Sequence, residues 1–440
     1  VNFKAYNRPM KQPMLLLIFL VSCYGQNFAQ TNLEHSSPSQ LGMDESYINQ
    51  QVDSIMLLGI QEQAFPGAQI LVAKGNQVIF HEAYGYHTYD SVQKVGLNDL
   101  YDLASVTKIT GPLPALMKLV DEQKLDLDAP FSTYWEPWAK RKNKKDLTLR
   151  QILSHQAGLV PYIIFLEKVM EKEKIKKRFI RTKPSKKFQK QVYEGLYVKN
   201  RFLRKIYRMI NRSEVSADKK YRYSGLTFLI YPELISNLTG TAYESYLKTT
   251  FYDPIGSKTL GFNPKTKNYP NKIVPTEVDT LFRKDLTYGW VHDENASLLG
   301  GISGNAGLFG TAEDLAKIML FYQNLGVTLS GEQIISKTTV EEFIKVQYPE
   351  NENRRGLGFD KPLLGNDTLA IADAYPSPKA SPKSFGHAGF TGTFVWADPE
   401  NQLVFIFLSN RVYPSRTHRK LYSLNIRTAL QDVFYTALAK

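Results

Sequence analysis

Residues 101–120 read YDLASVTKITGPLPALMKLV, and this segment decides how the rest of the chain is interpreted. Ser105 and Lys108 stand three residues apart at the head of an apolar run that predicts a helix. If the helix starts at Ser105, Lys108 projects from the same face, one turn away. A serine needs a base to become a nucleophile, and a lysine withdrawn from water can act as one. The pattern predicts a nucleophile with its base, although so short a motif also fits a solvent-facing serine and lysine.

A glycine-rich segment near the C-terminus is the second candidate. Residues 386–393 read GHAGFTGT, and the three glycines allow the backbone to approach a ligand closely. His387 stands at the mouth of a predicted edge strand, where it is either a site residue or a structural hydrogen bonder. Two apolar runs, 394–396 and 403–408, flank the turn sequence DPEN and predict a β-hairpin directly after it.

A tyrosine is the third candidate. Residues 220–226 read KYRYSGL and lead into an apolar run. A tyrosine can relay a proton between a nucleophile and a leaving group, which would give Tyr223 a part in catalysis. Taken alone, Tyr223 fits equally well as an aromatic side chain packed on the core at the start of a helix.

The organisation of the chain predicts an α+β fold. Residues 67–84 alternate around Gly75-Asn76, which predicts a second hairpin near the N-terminus. Helical spacing of apolar residues recurs in six further segments: 43–59, 148–154, 226–236, 312–325, 338–345 and 424–438. We therefore predict an antiparallel sheet built from N- and C-terminal strands and flanked by helices. A mostly helical subdomain, at roughly residues 116–290, is inserted between them.

The N-terminal 30 residues have the features of a secretory signal. Lys4, Arg8 and Lys11 precede the apolar run 14–21. That run has eight residues, whereas a helix needs about 20 to span a bilayer. We predict a signal peptide at residues 1–30, a functional domain at 31–440 and an exported protein.

The only cysteine of the chain, Cys23, directly follows this apolar run. The sequence LVSC resembles the lipobox of bacterial lipoproteins, in which the cysteine is acylated and anchors the mature chain. The alternative is an ordinary signal cleaved near Ala29-Gln30, which would discard Cys23. The protein is accordingly expected in the periplasm or on a membrane as a lipoprotein, and its mature domain has no disulfide.

The positive charge of the chain is concentrated in one segment. Residues 161–222 contain 20 Lys and Arg against 6 Asp and Glu, while the whole chain has a net charge of +13. No zinc-finger spacing or aromatic RNA-binding motif accompanies these charges, so we do not expect nucleic acid as a partner. The segment is either a set of solvated helix faces or a patch for a membrane surface or an anionic ligand.

The three candidate motifs, taken in order, resemble the serine β-lactamase and penicillin-binding superfamily. The chain is most similar to the class C branch, which includes class C β-lactamases, D-alanyl-D-alanine carboxypeptidases, D-aminopeptidases and carboxylesterases. The resemblance runs from about residue 67 to the end and includes LTLRQILSHQAGL, GNAGLFGTAEDLAKIM and FGHAGFTGTFVWADPENQLVFIFLSN. The sequence VHDENASLLGG resembles the serine-hydrolase module fused to some family 3 β-N-acetylglucosaminidases.

The resemblance implies a role for each candidate. Ser105 would be the acylated nucleophile, with Lys108 and Tyr223 sharing the general-base and general-acid work. His387 stands where β-lactamases place the lysine of K-T-G, and histidine there is usual among esterase-like members. The backbone N–H groups of Ser105 and Phe390 would form the oxyanion hole.

Two glycines complete the substrate site that the resemblance implies. Gly389 borders the oxyanion hole beside Phe390. Gly225 departs from the family pattern, because class C β-lactamases have asparagine at this third position after the tyrosine and the glycosidase-fused modules usually have aspartate. A glycine has no side chain to hold Lys108 or a substrate amide, which disfavours β-lactam and peptide hydrolysis.

The sequence therefore predicts an exported serine hydrolase that needs no metal or organic cofactor. Its first expected activity is esterase-like, on small acyl substrates. A cell-wall D-Ala-D-Ala carboxypeptidase, a D-aminopeptidase or a weak class C β-lactamase acting on peptidoglycan-derived or β-lactam substrates is the alternative. A non-catalytic protein that binds a cell-wall ligand is the second alternative. Cys23 and the basic segment 161–222 are two candidates for membrane anchoring.

Overall fold

The computed structural model describes residues 1–2, 32–267 and 269–438. Cys23 and residues 3–30 of the predicted signal peptide lie outside the described ranges. In those ranges, no helix combines the length and the apolar character needed to cross a bilayer.

The strands alternate in sequence with loops and helices along the whole chain. They are β1 Glu34–His35, β2 Gly67–Lys74, β3 Gln77–Gly85, β4 Tyr101–Asp102, β5 Met170–Glu171, β6 Lys174–Ile175, β7 Ile180–Arg181, β8 Lys190–Tyr193, β9 Leu196–Val198, β10 Gly261–Phe262, β11 Val278–Asp279, β12 Asp285–Leu286, β13 Leu308–Gly310, β14 Phe385–Ala388, β15 Phe394–Asp398 and β16 Leu403–Ser409.

The α-helices of the described ranges are mostly short, and five of them have ten or more residues. They are α1 Glu45–Gln61, α2 Thr107–Thr110, α3 Pro112–Asp121, α4 Leu149–Leu153, α5 Leu166–Val169, α6 Phe202–Arg212, α7 Tyr231–Thr239, α8 Tyr243–Leu247, α9 Asp253–Ile255, α10 Glu294–Leu298, α11 Ala312–Gln323, α12 Lys337–Ile344, α13 Lys420–Ser423 and α14 Ile426–Leu438.

The central sheet is built from the two ends of the chain, as predicted. Its six strands lie in the order β1-β3-β2-β16-β15-β14. Both predicted hairpins are present, and the turn between β2 and β3 has Gly75 at a φ of 60°. The pairing is antiparallel except at the edge, where the two-residue strand β1 runs parallel to β3. The α+β class is confirmed, with a mixed sheet instead of a purely antiparallel one.

Helices cover both faces of this sheet. In β2, Ile70 and Val72 face α1 and α14, whereas Leu71 and Ala73 face the cluster that includes α3 and α11. Successive side chains of a strand point to opposite faces, so an unbroken apolar run is what a doubly covered strand requires. Each large side chain fully buried in this way stabilises the fold by about 1.5–3 kcal/mol.

The inserted region carries more strand than the sequence analysis predicted. Helices α3–α9 lie within it, but residues 170–198 form the antiparallel pair β5-β6 and the three-stranded sheet β7-β9-β8. Within the basic segment, residues 202–212 form the helix α6, whereas residues 170–198 form strands and not the helix faces that the sequence suggested. The reason is local, because Val192-Tyr193 and Leu196-Tyr197-Val198 flank a tight turn in which Gly195 has a φ of 67°.

The predicted helix after Ser105 is two helices. A 3₁₀ turn at Ala104–Val106 leads into α2, which ends at Gly111, and Pro112 then starts α3. A Cβ at Gly111 would lie 2.8 Å from the carbonyl oxygen of Thr107, so the chain turns where only glycine fits. Proline is well suited to the first position of a helix, because its missing N–H needs no partner there.

Candidate active site

The Ser105 hydroxyl lies within hydrogen-bond distance of an amine. Lys108 Nζ donates to Ser105 Oγ at 2.9 Å and to the backbone oxygen of Asn305 at 2.9 Å. The lysine is only 3% exposed. The 3₁₀ turn followed by α2 brings the two side chains onto one face, as their spacing of three residues predicts.

Aromatic rings, and no carboxylate, surround the remaining side of this amine. The ring centres of Tyr223 and Phe228 lie 5.6 Å and 5.5 Å from Lys108 Nζ. No Asp or Glu oxygen of the described residues lies within 4.0 Å of it. Lys108 is therefore held by two oxygen acceptors, and no carboxylate of the described residues pairs with it.

Asp102 anchors the start of the nucleophile turn. Its carboxylate accepts hydrogen bonds from the N–H of Ala104 at 2.8 Å and of His292 at 2.6 Å. Burial raises the pKa of this carboxyl, although both hydrogen bonds act to lower it. Ala104 has a φ of 45°, a left-handed conformation that is costly for a residue with a Cβ. The residue before the nucleophile is thus held in a strained geometry.

The glycine-rich turn docks directly on this strand end. Thr391 Oγ1 donates to the carbonyl oxygen of Asp102 at 2.7 Å, and Thr393 Oγ1 donates to that of Leu103 at 3.1 Å. A Cβ at Gly389 would lie 2.0 Å from Thr393 Oγ1 and 2.6 Å from the carbonyl oxygen of Leu103. Only glycine allows the two backbones to come this close.

Phe390 follows in the same turn and faces the pocket beside Ser105. Within the described part of the chain its N–H has no hydrogen-bond acceptor, which leaves it available to a ligand. Its carbonyl oxygen accepts a hydrogen bond of 2.9 Å from Arg411 Nε, and the guanidinium lies 4.5 Å from the ring centre. The ring of His292 stacks on the ring of Phe390, with 5.7 Å between the two ring centres. Arg411 therefore fixes the residue predicted to supply the second oxyanion donor.

Tyr223 lies near Lys108 in an extended segment and not in a helix. Its ring centre is 4.6 Å from that of His155 and 6.2 Å from that of His387. Among the described residues no group hydrogen-bonds to its hydroxyl. The structure thus brings Tyr223 to the site without showing the proton relay itself.

His387 lies in the edge strand β14 and is buried. Its Nδ1 must be protonated, because it donates to the carbonyl oxygen of Ala388 at 2.8 Å. Its Nε2 is buried and has no partner in the described residues. Burial, with contributions from the Arg355 and Lys108 charges, lowers the pKa of His387 to about 3. At neutral pH the side chain is therefore uncharged, unlike the lysine it replaces in the family pattern.

The third position after Tyr223 is open. Gly225 donates its N–H to the carbonyl oxygen of Pro161 at 3.2 Å. Of the atoms in the described ranges, only Lys108 Cε would lie within 4 Å of a Cβ built there, at 3.9 Å. The glycine is therefore not required by packing, and its absent side chain leaves space beside the amine.

The pocket at Ser105 has a volume of about 430 Å³. Four exposed apolar side chains line it: Tyr162 (47%), Ile164 (51%), Leu281 (47%) and Phe390 (44%). These side chains offer an apolar surface beside the nucleophile.

One wall of the pocket is ionic. Glu277 accepts hydrogen bonds from His292 Nε2 at 2.8 Å and from Arg416 Nη2 at 2.6 Å. Arg416 also donates to Glu294 at 2.7 Å. Burial acts to raise the pKa of Glu277, but the hydrogen bonds from His292 and Arg416 lower it overall. The Arg416 guanidinium is thus already paired with two carboxylates, those of Glu277 and Glu294.

Comparison with known proteins agrees with this arrangement. The family model described as Beta-lactamase matches residues 45–429. The chain belongs to the beta-lactamase family. As a beta-lactamase-family protein it is a serine hydrolase, and its fold is the one shared by β-lactamases and transpeptidases.

Proteins similar to this beta-lactamase-family chain differ in their named activities. A Salmonella typhimurium protein provisionally named D-alanyl-D-alanine carboxypeptidase is 29% identical over 430 residues, covering 90% of each chain. EstCE1, a hydrolase with promiscuous acyltransferase activity, has a TM-score of 0.60 at 18% identity, covering 88% of this chain and 98% of its own. A class C β-lactamase from Rhodobacter sphaeroides has a TM-score of 0.61 at 14% identity, covering 89% and 99%. The two structural likenesses show the fold.

Several residues of this beta-lactamase-family site were missed in the sequence. Asn305 contributes its carbonyl oxygen to Lys108, and its side chain donates to Asp293 Oδ1 at 3.1 Å. Asp293 in turn caps α10 through the N–H of Ala296. A capping signal was visible in the sequence DENAS, but no local pattern connects it to Lys108, nearly 200 residues away in the chain.

His155 was also missed. Its Nδ1 accepts a hydrogen bond of 3.3 Å from the N–H of Ser224, and its ring packs on that of Tyr223. Burial lowers the pKa of His155 well below the usual range, with the Arg355 charge adding to the effect. The neutral ring therefore supports the backbone of the tyrosine motif. Its sequence context, SHQAGL, is part of the family resemblance but contains no local pattern that marks a site residue.

Proposed function

We propose that the protein hydrolyses small acyl esters through a Ser105 acyl-enzyme. The observation that carries this proposal is the 2.9 Å hydrogen bond between Lys108 Nζ and Ser105 Oγ. It places a base at the hydroxyl that must lose a proton, in a setting where no described carboxylate competes for that amine.

The reaction then has two steps. In the first, Ser105 Oγ bonds to the ester carbonyl carbon as Lys108 takes its proton, and that proton passes to the alkoxy oxygen as the C–O bond breaks and the alcohol leaves. In the second, water attacks the acyl-enzyme and releases the acid and the free serine. The N–H groups of Ser105 and Phe390 are suited to stabilise the oxyanion in both steps.

Three features favour an ester over a peptide that ends in a carboxylate. His387 is neutral, so it offers no positive charge to a carboxylate. Arg416 is already paired with Glu277 and Glu294. Gly225 has no amide to hold a substrate peptide bond, and an ester, with its better leaving group, depends less on such a contact.

A D-Ala-D-Ala carboxypeptidase is the second candidate. Its support is the Salmonella typhimurium relative, which is similar over 90% of both chains. A weak β-lactamase activity belongs with this candidate, because the same acyl-enzyme would form on a β-lactam.

A substrate panel separates the two. The purified protein is assayed on p-nitrophenyl acetate and butyrate, on a D-Ala-D-Ala peptide and on the β-lactam nitrocefin, with Ser105→Ala as the blank. We expect kcat/KM for the esters to exceed kcat/KM for the peptide by at least about a hundredfold. Preference for the peptide would replace the first candidate by the second.

We further propose that the protein is exported. The support is the basic and apolar pattern of residues 1–30, and Cys23 decides between release and anchoring. Labelling of cells with palmitate tests this point: label on the wild type and none on Cys23→Ser supports a lipoprotein, whereas an unlabelled mature chain that starts after residue 23 supports cleavage.

A further inference from the structure

Helix α6 carries a basic face that the core does not use. Its buried side chains, Phe202, Ile206 and Ile210, face the core. On the opposite side, a groove of about 890 Å³ is lined by five cations, which are Arg201, Arg204, Lys205, Arg208 and Arg212. The helix itself has no acidic residue. Their spacing in the sequence places all five on one face of a helix of 3.6 residues per turn.

These cations have no counter-charge in the described part of the molecule. None of the five lies within 4.0 Å of an Asp or Glu oxygen there. Burial lowers the pKa of Lys205, and the charges of Arg178, Lys168 and Lys176 add to this effect. Like charges gathered without acids cost folding free energy and produce a positive potential that attracts anions.

The groove adjoins the Ser105 pocket. Ile163 lines the groove, whereas its neighbours Tyr162 and Ile164 line the pocket. Both neighbours are about half exposed. The same short segment thus presents a cationic concavity on one side and exposed apolar side chains on the other.

A cationic groove beside exposed apolar side chains favours one class of anionic partner over others. A soluble polyphosphate or sulfated sugar satisfies the cations but offers nothing to exposed tyrosine and isoleucine side chains, and a single-stranded nucleic acid, whose bases can stack on tyrosine, offers nothing to the isoleucine. An anionic bilayer satisfies both, because its phosphates attract basic residues while aromatic and aliphatic side chains enter the headgroup region. Each basic residue near such a surface strengthens binding about fivefold.

We propose that the basic groove of α6 docks on an anionic phospholipid surface, with lipid phosphates between its arginines. The docked face holds the Ser105 pocket close to the bilayer. This contact is separate from the acylation of Cys23 and from the chemistry at Ser105.

The test measures binding of the full chain to vesicles. Co-sedimentation is compared between pure phosphatidylcholine and phosphatidylcholine with about 30% phosphatidylglycerol, at low and high salt. The groove variant is Arg204→Glu with Arg208→Glu. The matched control is Lys94→Glu with Lys272→Glu, two exposed lysines that line a different surface depression and change the net charge equally.

We expect salt-sensitive binding of the wild type to the anionic vesicles. This binding should be weakened about thirtyfold or more in the groove variant and only slightly in the control. Turnover of p-nitrophenyl acetate and the circular dichroism spectrum should stay unchanged in both. If the charge reversals prevent folding, Arg204→Gln with Arg208→Gln should still weaken binding severalfold. Equal binding to both vesicle types, or equal loss in groove variant and control, would overturn the proposal. So would a single-stranded oligonucleotide that binds more tightly than the vesicles and displaces them.

Discussion

Lys108 Nζ lies 2.9 Å from Ser105 Oγ, and the same amine lies 2.9 Å from the carbonyl oxygen of Asn305. The second contact fixes the amine from the opposite side of the site, so the lysine is oriented by the fold as well as by its position one turn from the serine. Base and nucleophile are therefore positioned before a substrate arrives.

Removal of the amine should slow acylation. We expect Lys108→Met, which keeps the length of the side chain, to lower kcat/KM for p-nitrophenyl acetate by about 10²–10⁴-fold, because the serine loses its base. Lys124→Met, which changes an exposed lysine paired only with Glu122, should retain wild-type kinetics. Steady-state kinetics measure both, and a Lys108→Met enzyme within twofold of the wild type would remove lysine from the mechanism.

An asparagine at the open third position should shift the substrate preference. In Gly225→Asn the new amide enters the space beside Lys108, where Lys108 Cε is the one atom of the described residues within 4 Å of the Cβ. We expect the ratio of β-lactam or D-Ala-D-Ala hydrolysis to ester hydrolysis to rise about tenfold or more, since the amide can hold a substrate amide.

Gly225→Ala is the control for that change, because it adds the Cβ without the amide. Its ratio should remain that of the wild type. If Gly225→Asn and Gly225→Ala behave alike, the missing side chain does not set the preference between amides and esters.

The buried histidine should make the protein sensitive to acid. His387 titrates at about 3 in the folded chain, against an ordinary pKa of 6.5. Between these values the unfolded state binds more protons than the folded state. The contribution of His387 to the free energy of unfolding is therefore fully present above pH 6.5 and falls as the pH is lowered from 6.5. The slope from this group is about 1.4 kcal/mol per pH unit.

Urea denaturation between pH 4 and pH 7 (roughly the span of this window) measures the effect. We expect His387→Gln to flatten the dependence by about one such slope. The dependence should not vanish, because burial lowers the pKa of His155 in the same direction. An unchanged slope in His387→Gln would mean that the folded protein accommodates the charged ring.

Arg411 should matter for turnover although it does not line the pocket. It is fully buried, donates to the carbonyl oxygen of Phe390 and stacks on its ring. Arg411→Lys keeps the charge but loses the planar fork, which should displace the N–H of Phe390 from the oxyanion. We expect kcat to fall about tenfold or more with KM nearly unchanged.

Arg419→Lys is the matched control. The guanidinium of Arg419 lies 5.0 Å from the ring centre of Tyr422, and its side chain is exposed. Its kinetics should stay at wild-type values. A rise in KM without a change in kcat for Arg411→Lys would indicate a substrate-binding role instead of oxyanion positioning.

Local patterns in the sequence predicted the parts of the fold that local physics decides. The pairing of Ser105 with Lys108 depends on a spacing of three residues, and the β2-β3 hairpin depends on Gly75-Asn76. Two features that differ from the prediction also have local signals. The dipeptide Gly111-Pro112 marks the helix break, and Glu194-Gly195 marks the turn of the β8-β9 hairpin.

The rest of the site depends on tertiary contacts that no window of sequence contains. The carbonyl oxygen of Asn305 reaches Lys108, the N–H of His292 reaches Asp102, and Arg411 reaches Phe390. Backbone oxygens and N–H groups are present in every residue, so residue type does not reveal which of them will line a site. The parallel strand β1 is similar, because its two residues carry no pattern of their own.

Intact-protein mass spectrometry after reaction with a fluorophosphonate directly tests whether Ser105 is the nucleophile. We expect one adduct on the folded protein, mapped to the peptide that contains Ser105, and none on Ser105→Ala. Its formation should be slowed in Lys108→Met by about the same factor as ester turnover. An adduct that persists in Ser105→Ala, or no adduct on a folded wild-type protein, would contradict Ser105 as the nucleophile.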